Sequence, residues 1–67
     1  MNKVNIGDVV YEASSFTWGD KIIVTKENLE EVNEYLNIIY YTDYNRCIEK
    51  CHLLHSDYQS WVDYNFH

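Results

Sequence analysis

The apolar pattern changes period near residue 26, and that change restricts the chain to a mixed fold. Upstream, Val4, Ile6, Val9, Val10 and Tyr11, and then the run Lys21-Ile22-Ile23-Val24-Thr25, are rich in β-branched and aromatic residues. Such side chains suit a pleated, half-buried surface. Downstream, Leu29, Val32 and Leu36 recur at helical spacing. At about 100° per residue they gather on one side of a helix. Strands first and helices later point to an α+β fold.

Proline is absent and Gly7 and Gly19 are the only glycines, so element boundaries are read from pattern changes. Residues 4–11 read as a first strand, with Gly7-Asp8 as a turn or bulge at its entrance. Residues 12–20, with Ser14, Ser15, Trp18, Gly19 and Asp20, read as a loop or wide hairpin from which Phe16 and Trp18 fold back onto the core. Residues 21–25 read as a second strand, antiparallel to the first. Residues 26–36 form an amphipathic helix with Thr25 as its N-cap. Residues 37–41 look like a third strand, although they could instead prolong that helix; the β-branched Ile38 and Ile39 favour the strand. Thr42 or Asp43 then caps a further helix whose apolar stripe runs Tyr44, Cys47, Cys51, Leu54, Tyr58, Trp61 and Val62. Ser56 with Gln59 matches a capping box, where this helix can break and restart. Residues Asn65-Phe66-His67 are expected to fray. The expectation is therefore a short antiparallel sheet packed against one or two helices, in the order β-β-α-β-α.

At 67 residues there is room for one domain, spanning 1–67. A chain this short buries only about 60% of the surface its unfolded form exposes, so its stability margin is thin. Apolar residues make up 46% of it, a globular rather than a disordered composition. No stretch approaches the roughly 18 apolar residues of a spanning helix, and the opening Met1-Asn2-Lys3 carries no apolar signal region. A cytoplasmic protein with two reduced cysteines is expected.

Charge is the strongest clue to partners. Eleven acidic against five basic residues leave a net charge of −6. Phosphate backbones and anionic membranes repel such a protein, and Lys3, Lys21, Lys26, Arg46 and Lys50 are scattered among acids rather than gathered into a patch. Direct nucleic-acid or membrane binding is thus disfavoured. Glu27, Glu30, Glu31 and Glu34 sit opposite the apolar side of the 26–36 helix. Glu27/Glu31 and Glu30/Glu34 are like-charge pairs at i,i+4, each costing about 0.2–0.5 kcal/mol of helix stability. Such a face is either simply solvated or made to meet a basic partner.

The remaining chemistry-bearing residues offer little. Cys47, Cys51 and His55 follow at i, i+4 and i+8, with His52 beside them. Three groups over two helical turns do not converge on one ion, and no C-x-x-C knuckle is present. The cysteines read as small buried hydrophobes, and neither metal nor cofactor is expected. Cys51 and His55 have a spacing compatible with a nucleophile and its base. However, Cys51 points to the core, and no glycine-rich loop offers an oxyanion hole, so no catalytic residue is expected. Among seven Tyr, two Trp and two Phe, Trp18, Tyr58 and Trp61 are candidate anchors for a partner. Leu53 falls off the apolar stripe and Ile48 lies at its edge. With Tyr58, Trp61, Tyr64 and Phe66 they could leave an exposed apolar patch suited to self-association.

Gly7-Asp8-Val9-Val10 resembles the first strand of small SH3-like barrels over those few residues. More broadly, a short, proline-free chain rich in Asn, Tyr, Ile, Lys and acids resembles the small open reading frames of phages with AT-rich genomes. The stretches Gly7-Asp8-Val9-Val10-Tyr11 and Ile38-Ile39-Tyr40-Tyr41-Thr42-Asp43 share that character. The resemblance implies an inhibitor of a host enzyme or immune complex, such as a restriction or CRISPR effector, acting at a basic nucleic-acid-handling surface. Glu27, Glu30, Glu31 and Glu34 would then steer association, with Trp18, Tyr58 and Trp61 as anchors. The alternative is an assembly module that forms a homodimer through its aromatic patch.

Overall fold

A computed structural model describes residues 3–66. Its elements are β1 (Val9–Ser14), β2 (Thr17–Ile23), α1 (Leu29–Glu34), β3 (Tyr40–Tyr41), α2 (Tyr44–His55) and α3 (Tyr58–Asn65). The sheet is antiparallel in the order β2-β1-β3, so the fold class is α+β. None of the helices among the described residues is long and apolar enough to cross a membrane.

The first strand begins later than the 4–11 pattern suggests. Gly7 adopts a left-handed backbone, φ 95°, and the turn closes when the Asp8 N–H donates to Asn5 O at 3.0 Å. Val4 lies outside the sheet yet is buried. Asn33 of α1 holds it by accepting from the Val4 N–H at 2.9 Å and donating to its carbonyl at 3.3 Å.

Residues 12–20, expected as a loop or wide hairpin, form a hairpin, and a narrow one. β1 and β2 continue into a tight hairpin, in which Ser14 opposes Thr17. Thr17 Oγ1 accepts from the Ser14 N–H at 3.0 Å, and Ser14 Oγ from the Phe16 N–H at 3.2 Å. These hydroxyls satisfy the turn that glycine or asparagine more often makes. Gly19 is the extra residue of a β-bulge: Glu12 pairs with Asp20, but Ala13 pairs with Trp18. Its φ is 68°, a conformation glycine adopts without penalty. The bulge inverts the side-chain alternation of β2, so Asp20 and Ile22 point to one face of the sheet and Trp18 to the other.

That inversion lets a narrow sheet serve two cores. On one face Val10, Val24, Val32, Tyr40 and Val4 pack with Ile22, Leu29, Leu36 and Ile39 beneath α1. On the other, Ala13, Tyr41, Cys47 and Cys51 pack with Tyr11 and Trp18 beneath α2. Helices therefore cover both faces.

The helix over 26–36 shortens to the six residues of α1, with Asn28 at its N-cap rather than Thr25. Thr25 contributes one turn earlier. Its N–H donates to Asn28 Oδ1 at 2.7 Å, and the Asn28 N–H returns to Thr25 Oγ1 at 3.4 Å. Residues 37–41 settle between the two readings. Asn37 turns left-handed, φ 66°, the N–H groups of Ile38, Ile39 and Tyr40 all point at the Tyr35 carbonyl, and only Tyr40 and Tyr41 join the sheet.

Asp43, rather than Thr42, caps α2 by accepting from the Asn45 N–H at 2.9 Å. The helix breaks at Ser56, φ 66°, as the capping box suggested. The new cap is Asp57, however, which accepts from the Ser60 N–H at 2.8 Å. The long apolar stripe is not buried as one face. Cys47 and Cys51 are buried, whereas Tyr44, Leu54 and Tyr58 are exposed.

Candidate functional site

α1 lies on the sheet through Leu29 and Val32, which leaves its glutamates outward. Glu27, in the turn before the helix, and Glu30, Glu31 and Glu34 on it are all exposed. They do not form one uniform flank. Glu30 and Glu34 border a shallow depression of about 590 Å³ together with Lys3, Lys26, Leu29 and Asn33, so two lysines dilute their charge. Glu31 acts on a different neighbourhood. Its charge, with burial and the charge of Asp20, raises the Glu12 carboxyl above its ordinary pKa, burial being the largest cause. Burial, then Glu12 and Glu31, also raise the Tyr40 hydroxyl.

Glu12, Asp20 and Glu31 therefore form a second acidic group, in which Asp20 and Glu31 act on the Glu12 carboxyl. Glu12 and Asp20 are direct cross-strand partners on the α1 side of the sheet, where like charges work against strand pairing. Neither Glu12 nor Asp20 was a candidate from sequence, because reading 12–20 as a loop or wide hairpin sets no register between them. Correct strand extension would have opposed them in the hairpin.

The Glu12 shift has a testable sign. A carboxyl whose folded pKa exceeds its unfolded value favours the fold when protonated and opposes it once ionised. The cost is absent below the ordinary value of 4.5 and complete above the raised folded pKa. Glu12→Gln is accordingly expected to raise the melting temperature at pH 7, with the advantage shrinking as the pH falls toward 4.5. A variant less stable than the parent at neutral pH would show that a favourable contact holds the carboxylate instead.

The three aromatic candidates do come together. Trp18 lies 5.7 Å from Tyr58 and 6.5 Å from Trp61 between ring centroids, and Tyr58 lies 5.4 Å from Trp61. His52 packs edge-on against Trp18 at 5.1 Å, and Phe66 against Trp61 at 5.6 Å. Trp18 and Trp61 are half-buried and Tyr58 is exposed. This cluster lies on the α2 side of the sheet, opposite the carboxylates, because the Gly19 bulge turns Trp18 away from Asp20. A single flat partner surface cannot engage both.

Cys47 and Cys51 are free thiols with no solvent exposure. Burial, the adjacent Cys51 and the acidic Asp20 and Glu12 push the Cys47 thiol up to about 12. Burial likewise raises Cys51, opposed by the nearby Gly19 backbone. Neutral thiols are poor ligands and poor nucleophiles. His52 places Nδ1 2.6 Å from Ser56 O, which commits that nitrogen to the end of α2, and His55 rests against Tyr64 at 5.5 Å. Among the described residues no group of three or more His, Cys, Asp or Glu side chains is arranged to hold a metal ion.

Comparison with protein-family models, curated proteins and solved structures finds no match to this chain.

Proposed function

We propose that the protein is a small acidic inhibitor that docks a carboxylate-rich face onto a positively charged, nucleic-acid-handling surface of a host protein, as phage anti-defence proteins do. The supporting observation is the opposition of Glu12 and Asp20 on adjacent strands, with Glu31 close enough to add to their repulsion. The fold gains nothing from this arrangement, and a cationic partner would relieve it. Glu27, Glu30 and Glu34 extend the negative field around α1 and favour steered encounter. The contact itself centres on Glu12, Asp20 and Glu31, because Lys3 and Lys26 lie beside Glu30 and Glu34.

Displacement of labelled duplex DNA from purified restriction and CRISPR effectors tests this reading. The protein is expected to release DNA from at least one of them, with a potency that falls as added salt screens the charges. The combined variant E12Q/D20N/E31Q should lose about tenfold or more in potency without losing thermal stability. Potency that is flat with salt, or unchanged in the triple variant, would overturn the proposal.

A second reading rests on α3, which contains no buried residue. Tyr58, Tyr64 and Phe66 on this segment are exposed, and Leu53 on α2 is 83% exposed. These apolar groups suit a self-associating module. Sedimentation equilibrium decides it: a mass that rises with concentration and returns to monomer in F66S supports the module, and a constant monomer mass removes it.

A further inference from the structure

Arg46, Glu49, Lys50 and Leu53 follow at i, i+3, i+4 and i+7, a spacing that places them on one stripe of α2. With Asn37 and Tyr41 opposite they enclose a groove of about 270 Å³. The chain carries only five basic residues, and this groove gathers two of them around one carboxylate. One net positive charge remains, on a protein whose overall charge is −6.

The groove also has an ordered polar wall and an apolar one. The Tyr41 hydroxyl donates to the Ile38 carbonyl at 3.2 Å, leaving its oxygen lone pairs to accept from a basic group. Burial and the Cys47 thiol raise this hydroxyl's pKa against the opposing charge of Arg46, so it stays neutral. Asn37 is held by its own N–H donating to Tyr40 O, and its left-handed backbone fixes the loop that forms the rim. Leu53 is 83% exposed and offers an apolar surface with no partner in the fold. The guanidinium fork of Arg46 matches the two oxygens of a carboxylate.

We propose that this groove binds a small organic monocarboxylate, its carboxylate held by Arg46 and Lys50 and its apolar portion laid against Leu53. One net positive charge suits a monoanion better than a phosphate dianion. The open groove leaves room for a small ring beside the carboxylate, as in phenylacetate. The site lies on α2 and the 37–41 loop, so it stands independently of the acidic face described above.

The test is an NMR titration of the full chain with phenylacetate, alongside neutral phenylacetamide at matched ionic strength. Saturable shifts confined to residues 37–41 and the 46–53 stripe are expected for phenylacetate. Phenylacetamide should bind about tenfold more weakly, the loss expected when hydrogen bonds to a charged group are removed. R46Q should weaken phenylacetate binding by a similar factor, and K50Q should weaken it less. E49Q should tighten it severalfold, a gain that damage to the fold cannot produce. Shifts spread over the whole molecule, equal binding of the amide, or an E49Q variant no tighter than the parent would overturn the site.

Discussion

Gly19→Ala is expected to remove about 2–4 kcal/mol from the fold, against about 1–2 kcal/mol for Gly7→Ala. Both glycines have a left-handed backbone, φ 68° and 95°, so both variants bear the conformational cost of a Cβ there. Only Gly19 also meets a wall. A Cβ at Gly7 would have nothing within 4 Å, whereas at Gly19 it would lie 3.0 Å from Ile48 Cδ1 and 3.3 Å from Tyr44 Cε1. The Ile48 methyl can turn aside. The Tyr44 ring is packed edge-on against Tyr11 at 5.1 Å and has less freedom. A domain of this size holds about 3–10 kcal/mol in total at typical stability per residue, so the Gly19 variant should lose a large share of its stability. Urea unfolding of the two variants side by side checks this. Equal midpoints would show that the bulge packs less closely against α2 than the structure indicates.

The second large effect concerns the thiols. With its pKa near 12 in place of the ordinary 9.0, Cys47 holds about 10³-fold less thiolate at pH 8 than an unperturbed cysteine, and the thiolate is the reactive species. The absence of solvent exposure at both sulfurs adds a steric barrier. Alkylation by iodoacetamide in native buffer should therefore proceed only through opening of the fold, at least about 10³-fold slower than in denaturant. Both cysteines should react at one common rate. Gly19→Ala should accelerate both, since Gly19 packs on α2 beside Ile48, Tyr44 and Cys47. Native-state labelling of Cys47 within about tenfold of the denatured rate would mean the α2 core opens locally, without global unfolding.

Much of the fold was legible in the sequence because it depends on local chemistry. The change of period at residue 26 announced strands before helices. Helix α2 and the break near Ser56 followed from spacing and capping residues. What failed depended on tertiary partners. Val4 looked like strand but lies outside the sheet, buried in the α1-side core and pinned by Asn33, 29 positions away. Of the two readings of 12–20, loop or wide hairpin, the hairpin is right but tighter than expected, because Ser14 and Thr17 hydroxyls close the turn without the usual glycine or asparagine. Tyr44, Leu54 and Tyr58 lay on the expected apolar stripe, yet all three are exposed: on α2 the sheet covers Cys47 and Cys51 and leaves Tyr44 and Leu54 to water, and Tyr58 lies beyond the turn at Ser56.

The candidate site divides in the same way. The exposure of Glu27, Glu30, Glu31 and Glu34 followed from the apolar positions Leu29 and Val32, since burying one side of a helix necessarily turns the other to water. Their neighbours depended on the assembled fold. Strand pairing brought Glu12 and Asp20 beneath Glu31, and the path of the N-terminal segment set Lys3 near Glu30 and Glu34. The aromatic cluster of Trp18, Tyr58 and Trp61 likewise required the bulge that sends Trp18 to the opposite face from Asp20. Periodicity and charge act between residues a few positions apart, so the sequence alone determined the elements and their outward faces. Only the tertiary structure decided which of those faces share a side of the sheet, because a single inserted residue reverses every side chain beyond it.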